Sequence, residues 1–235
     1  MVAESLLELF DAQVRPQATY ASPAWSAVLR PPEDGDVAPL IAWMREQSGY
    51  VEWKYYSHDQ PPDLPDRLRA AGLVPEDEET VVVAEAASIP PPSPDVELSL
   101  ATDAFVDLAA RVFGNERHGL PENTVAVVAL VDGVPVSGGR VDFEPGIEFA
   151  GLFGGVTLPE FRGRGLYRAT VAKRAELARE RGYHWLYSDA LPTSRPILER
   201  VGFVKLTTTT PYVFSGDSRS SLRIAGHFDA ERRGR

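Results

Sequence analysis

Apolar residues in this chain recur with two different spacings, and the switches between them mark its elements. Residues 96–100 alternate apolar and polar as a short strand does, while within 104–113 Phe105, Leu108, Ala109 and Val112 fall at helical spacing. Residues 124–131 are rich in β-branched side chains and lead through Asp132-Gly133 into 134–143; Pro145-Gly146 then turns the chain into 147–158. Asp-Gly is a preferred hairpin turn, so these three segments predict an antiparallel meander. A long helix follows over 166–181, stopped by Gly182. After it come a strand over 183–188, a helix over 195–201 ended by Gly202, and a last strand over 203–214. The opening residues 1–14 read as an amphipathic surface helix. In the first third, Gly49, an aromatic strand, a short helix and Gly72-Leu73-Val74 echo Gly182, its strand, its helix and Gly202-Phe203-Val204.

Charge is distributed unevenly over this pattern. The net charge is −10, and residues 1–94 hold 6 basic and 16 acidic side chains against 18 of each in 95–235. Such a surface repels nucleic acid phosphates and anionic lipid, so neither is expected as a partner. The chain has no cysteine, which excludes disulfides, thiolate metal sites and an acyl-cysteine mechanism. No stretch approaches the ~18 apolar residues of a membrane span. The start lacks the basic and small-residue pattern of a secretory signal, and a cytoplasmic location is expected. The run Ser88-Ile89-Pro90-Pro91-Pro92-Ser93-Pro94 coincides with the charge boundary and cannot continue a helix or a central strand. It predicts an acidic part over 1–87, a linker over 88–94, a second domain over 95–214 and a polar tail over 215–235.

Candidate chemistry concentrates in 154–182, GGVTLPEFRGRGLYRATVAKRAELARERG. A strand ends there, and Arg162-Gly163-Arg164-Gly165 leads straight into a helix whose Leu166, Tyr167, Thr170, Val171, Leu177 and Ala178 form one arc facing a sheet. Glycines before a helix let several N–H groups point outward at the positive end of its dipole, and two arginines add charge. This suits a phosphate or pyrophosphate; a plain strand-to-helix turn on a basic face is the other reading of the same residues.

The order of strand, Arg-Gly-Arg-Gly loop, amphipathic helix, strand, short helix, Gly-Phe and strand resembles the GNAT superfamily of acetyl-CoA-dependent N-acetyltransferases. Arg162, Gly163, Arg164, Gly165 and Leu166 match the family's Arg/Gln-x-x-Gly-x-Gly/Ala loop, with Tyr167 replacing its last small residue. Leu198-Glu199-Arg200-Val201-Gly202-Phe203 resembles its Tyr-Glu-Lys-x-Gly-Phe ending. The resemblance covers 95–214 and implies an α/β (α+β) fold, with a mixed, mostly antiparallel sheet flanked by helices. It implies acetyl-CoA as cosubstrate and no metal. Backbone groups of Val156, Thr157 and Leu158 would hold the pantetheine arm, and the segment from Arg162 to Tyr167 would grip the pyrophosphate. Strands 147–158 and 183–188 should then be adjacent, parallel and splayed near the acyl site.

For the proton leaving the amine, Glu148 is the candidate base, with Asp142 and Glu144 beside it and Glu116 and His118 in the loop after the first helix of this domain. His184 is expected to pack within its strand. The family's proton-donating Tyr is replaced by Leu198, so Tyr187, Tyr167 or water would protonate the thiolate. In the first part the loop's counterpart reads Arg30-Pro31-Pro32-Glu33-Asp34-Gly35-Asp36, whose carboxylates repel phosphate; 1–87 is read as a degenerate GNAT-like half-domain without CoA. The expected activity is acetyl transfer to a primary amine, small or exposed, by direct attack. A non-catalytic CoA-binding sensor and a protein N-terminal or lysine acetyltransferase are the alternatives, in a monomer or a homodimer.

Overall fold

A computed structural model describes residues 2–21, 25–113 and 119–214. Along the chain these form α1 (Val2–Val14), β1 (Thr19–Ala21), β2 (Trp25–Val28), α2 (Ala38–Glu46), β3 (Tyr50–Tyr56), α3 (Leu64–Ala70), β4 (Leu73–Pro75) and β5 (Glu79–Glu85). Then follow β6 (Glu97–Leu100), α4 (Thr102–Phe113), β7 (Thr124–Val131), β8 (Val134–Phe143), β9 (Phe149–Thr157), α5 (Leu166–Glu180), β10 (Trp185–Ala190), α6 (Arg195–Glu199) and β11 (Val204–Phe214). The predicted tail and the candidates Glu116 and His118 lie outside the described residues.

Two compact units emerge, and their boundaries do not fall at the proline run. The first holds the chain up to Val81 and resumes at Lys205; the second runs from Val82 to Val204. The chain crosses over within β5, a continuous strand. Its last strand joins the first unit because β11 pairs antiparallel with β3, Thr209 to Tyr56 through Tyr212 to Trp53, and with β4.

In the first unit β1 and β2 are antiparallel, and β2 is parallel to β3. One face of this sheet packs Val51 and the fully buried Trp53 against Ile41 and Met44 of α2 and Leu64 and Leu68 of α3. The second unit is a sheet in the order β10-β9-β8-β7-β6, with β10 parallel to β9 and the rest antiparallel. Asp132 and Gly133 both take positive φ, 52° and 74°, the left-handed pair that closes a two-residue hairpin between β7 and β8. α5 covers one face through Val171, Ala172, Ala175 and Ala178 on Val127, Val141, Ala150 and Leu152. α4 covers the other through Phe105, Val106 and Leu108 on Ala126, Val128 and Val156.

The predicted elements shift by a few residues. β9 begins at Phe149 and β10 at Trp185, because the carbonyl of Glu148 accepts the N–H groups of both His184 and Trp185 and ends the turn there. His184 therefore precedes its strand and is exposed, rather than packed within it. α5 and α6 both end on a glycine. Gly182 and Tyr183 donate to the carbonyls of Arg179 and Ala178, and Gly202 and Phe203 to those of Glu199 and Leu198. This is the paired closure that a left-handed glycine permits.

Candidate functional site

β9 changes faces along its length. Ala150 and Leu152 point to α5, whereas Val156 and Leu158 join the α4 side. The cause is a bulge: between Gly138↔Val156 and Arg140↔Phe153, β8 advances two residues while β9 advances three, and Gly154 absorbs the extra one at φ 62°. A bulge bends its strand, and β9 parts from β10 beside this one. The parallel register covers Phe149–Gly151 against Trp185–Tyr187, and Ser188 Oγ donates to the Leu152 carbonyl at 2.8 Å. Beyond that, β9 runs on to Thr157 and β10 to Ala190 without further register between them. The divergence leaves a length of strand edge whose amides can meet an extended amide chain.

Each proposed backbone contact on β9 has its own surroundings. Val156 is buried and its carbonyl accepts from Ser137 Oγ at 2.9 Å; Thr157 Oγ1 shares a 2.8 Å hydrogen bond with the same hydroxyl. The Leu158 N–H is donated to the Val136 carbonyl at 2.9 Å and its side chain is core, so this residue lacks a free amide for a ligand.

A single turn over Pro159–Phe161 leads into the loop. Arg162 Nε reaches the Thr157 carbonyl at 3.4 Å, and the Arg164 guanidinium lies 5.3 Å from the centre of the Phe161 ring. Gly165 is the N-cap of α5 at φ 77°, a conformation that disfavours side chains, and no side chain caps the helix. A Cβ at Gly163 would meet nothing within 4 Å, and one at Gly165 only Arg168 Nη2 at 3.5 Å. Open space above uncapped amides is what an anionic group needs. The exposed Arg162, Arg164 and Arg168 have no ion-pair partner among the described residues.

Tyr167 turns back along α5 onto the sheet. A Cβ on Gly155 would stand 2.6 Å from its ring and 3.0 Å from its hydroxyl, so Gly155 is the space that admits this tyrosine. Below it lies Arg174, 1% exposed, whose guanidinium would be 2.7 Å from a Cβ on Gly139. Its Nε donates to the Thr170 carbonyl at 3.1 Å and its Nη1 to the Arg140 carbonyl at 3.0 Å, while among the described residues no group meets Nη2 at hydrogen-bonding geometry. Burial pushes this guanidinium below its usual value, and the nearby Tyr167 and Asp142 oppose the shift. Two glycines on neighbouring strands thus accommodate a tyrosine and a buried cation from one helix.

The proposed proton-transfer groups are not gathered at the loop. Glu148 is exposed in the bend before β9, nine residues from Thr157, or roughly 30 Å along an extended strand. Asp142 accepts from Arg140 Nε at 3.1 Å and Thr124 Oγ1 at 2.9 Å, and the Glu144 carbonyl accepts from the Tyr183 hydroxyl. Tyr187, opposite Gly151, sets its half-buried ring edge-on to Phe149 and Phe153 at 6.3 and 5.5 Å. Leu198 is 1% exposed within the core that α5 covers, so it offers no proton.

The sequence pattern did not single out Arg174, and it marked the proline run as a linker and not as part of a site. Pro90, Pro91 and Pro92 line a groove of about 790 Å³ that also takes in Arg164, Gly165 and Arg168. The only sequence signals were an arginine at a position of the α5 arc and the density of prolines. Among the described residues no three His, Asp or Glu side chains cluster as metal ligands, and no helix is long and apolar enough to cross a membrane.

No protein-family model and no curated protein matches the chain. Solved structures do. A GCN5-related N-acetyltransferase from Kribbella flavida is 16% identical over 92% of this chain and 95% of its own, with a TM-score of 0.62. One from Sphaerobacter thermophilus is 13% identical over 83% of this chain and 76% of its own, with a TM-score of 0.57. A GCN5-related N-acetyltransferase-like protein from Streptococcus suis is 16% identical over 83% and 81%, with a TM-score of 0.52. With its bulged β9 diverging from a parallel β10 and its glycine-started α5, this chain has the fold of the GCN5-related N-acetyltransferases.

Proposed function

We propose that the chain transfers an acetyl group from acetyl-CoA to a primary amine by direct attack. The observation that carries this reading is the continuous run from the bulged, diverging end of β9 through two open glycines to the uncapped start of α5. The residues present suit the donor. Amides from Gly163 to Tyr167 with Arg162 and Arg164 would hold the pyrophosphate, and the β9 edge past the bulge would bind the pantetheine amides. An N–H there also stabilises the thioester oxygen as it gains charge. The amine nitrogen forms the new C–N bond, and the C–S bond breaks with its electrons on sulfur. A thiol with pKa near ~8.5 leaves readily, so a specific acid is dispensable. The amine enters as the free base or loses its proton to water or to a carboxylate such as Glu148, and turnover should rise with pH until the acceptor is deprotonated.

The buried Leu198, standing where the family's proton-donating Tyr would be, favours a second reading, CoA binding without transfer. Release of free thiol from acetyl-CoA, followed across small amines, peptides with free N-termini and lysine peptides, separates the two and identifies the acceptor class. Acetyl-CoA binding with no thiol release from any acceptor would overturn the enzymatic reading.

A further inference from the structure

The sheet face that α4 covers in part carries a guanidinium fixed at one end and open at the other. Arg140 lies on β8 opposite Phe153, beside the bulge and close to where β9 leaves β10. Its Nε donates to both Asp142 oxygens, at 3.1 and 3.2 Å, and its Cζ lies 5.5 Å from the centre of the Phe153 ring. Phe153 in turn leans over Gly151 and meets Tyr187 edge-on at 5.5 Å. Neither Nη1 nor Nη2 makes a hydrogen bond or ion pair among the described residues, and the side chain keeps 15% of its surface exposed. Carboxylate and ring thus orient the guanidinium plane, while the two outer nitrogens, the fork that matches a carboxylate, meet no described group. Below lies the buried Arg174, whose Nη1 donates to the Arg140 carbonyl. Burial first, and the Arg140 charge with it, push the Arg174 guanidinium below its usual value, against Tyr167 and Asp142. Asp142 is then a carboxylate that two guanidiniums share, a local positive excess in a chain with net charge −10.

Resting on the acetyl-transfer reading, we infer that the acceptor is a free α-amino acid whose carboxylate is anchored by the Nη1–Nη2 fork of Arg140. Arg140 stands one strand spacing, about 4.8 Å, from β9, whose edge past the bulge would hold the thioester. A carboxylate on Arg140 therefore brings an amine one carbon away toward that edge, its nitrogen directed at the thioester carbonyl. The acceptor's own side chain meets the Phe153 and Tyr187 rings, which favour an apolar or aromatic group. Arg140 is then a specificity residue that orients the acceptor and takes no part in proton transfer, and Asp142 positions it.

Thiol release from acetyl-CoA by the full chain tests this with phenylalanine, phenylalaninamide and phenethylamine, rates being referred to the free-base fraction of each amine. Phenylalanine should exceed the other two in kcat/KM by on the order of 10-fold to 100-fold, the value of one charge-assisted pairing, and chiefly through KM. Arg140→Gln should bring that ratio to about one, and Arg140→Lys, which keeps the charge and loses the fork, should leave it in between. Because Arg140→Gln strips Asp142 of its cation, the double variant Arg140→Gln/Asp142→Asn, shown to be folded by circular dichroism, should give the same loss of discrimination. A merely structural arginine would lower all three rates alike and leave the ratio in place. A ratio that survives in both variants overturns the anchor, as does a parent ratio of about one, and acetyl transfer then stands without it. No thiol release from any acceptor, with acetyl-CoA bound in calorimetry, overturns both readings.

Discussion

β2 and β9 each run parallel to the next long strand of their unit and reach it through a helix, yet the two helix starts are built in opposite ways. All four residues of β2 are registered with β3, from Trp25↔Tyr50 to Val28↔Trp53, so that pair stays closed; β9 gives only three of its nine residues to β10. At α2, Asp36 Oδ1 accepts the Ala38 N–H at 3.0 Å, and Asp34 Oδ1 accepts that of Asp36. Arg67 Nη1 donates to the Gly35 carbonyl at 2.8 Å and occupies the space above that glycine. The first helix start already contains its anion and its cation. Neither helix has a side chain capping it from its N-cap residue, but at α5 the glycines are open, and among the described residues Arg162, Arg164 and Arg168 have no ion-pair partner. A helix start is open to an outside anion where the chain has not supplied one, and under the proposed function this is what would separate the two units.

The comparison breaks most sharply at Gly165. Gly165→Val places a branched side chain at φ 77° over the amides, and acetyl-CoA affinity should fall about 100-fold or more, close to 3 kcal/mol, by calorimetry. Circular dichroism should show the variant folded. The parent should titrate with one site per chain; two equivalent sites would erase the distinction between the helix starts.

In the first unit, charges should serve stability. Asp11 accepts from Arg15 Nη1 at 2.8 Å and from His58 Nε2–H at 2.9 Å, and Arg15 Nη2 also donates to Asp59 at 2.6 Å. Burial pushes the Asp11 carboxyl up, but His58 and Arg15 together outweigh it and hold the group below its usual 3.8. A lowered folded pKa gives stability that is present above the unfolded value and is lost as pH falls through the folded one. Denaturant unfolding should therefore show this contribution fading below about pH 4. Asp11→Asn should cost about 2 kcal/mol at neutral pH and flatten that dependence.

Arg164→Ala should weaken acetyl-CoA binding by about 1 to 2 kcal/mol, since it removes one charge and leaves the loop amides in place. The smallest effect is expected at Asp36→Ala, a loss of about 1 kcal/mol of stability or less, as for one exposed hydrogen bond to the Ala38 N–H. Acetyl-CoA affinity should not change. A new anion site at α2 in that variant would show that the aspartate alone distinguishes the two starts.

Punctuation and period were sufficient for the elements. Asp132-Gly133, Gly182 and Gly202 act through local backbone angles, and the apolar arc of α5 through its own repeat, so each is readable without its neighbours. The Arg162 to Gly165 loop was legible for the same reason. The bulge at Gly154, the divergence of β9 from β10 and the membership of β11 in the first unit depend on register between distant segments, which no local pattern records.

Side-chain roles divide along the same line. From its sequence alone the chain determined the glycines and arginines that open α5, because a left-handed turn and a charge are properties of single residues. Only the tertiary structure decided that Gly139 and Gly155 make room for Arg174 and Tyr167, that Glu148 stands a strand's length from the loop, and that the proline run walls a groove. Those facts are distances between residues far apart in the chain, and packing sets them.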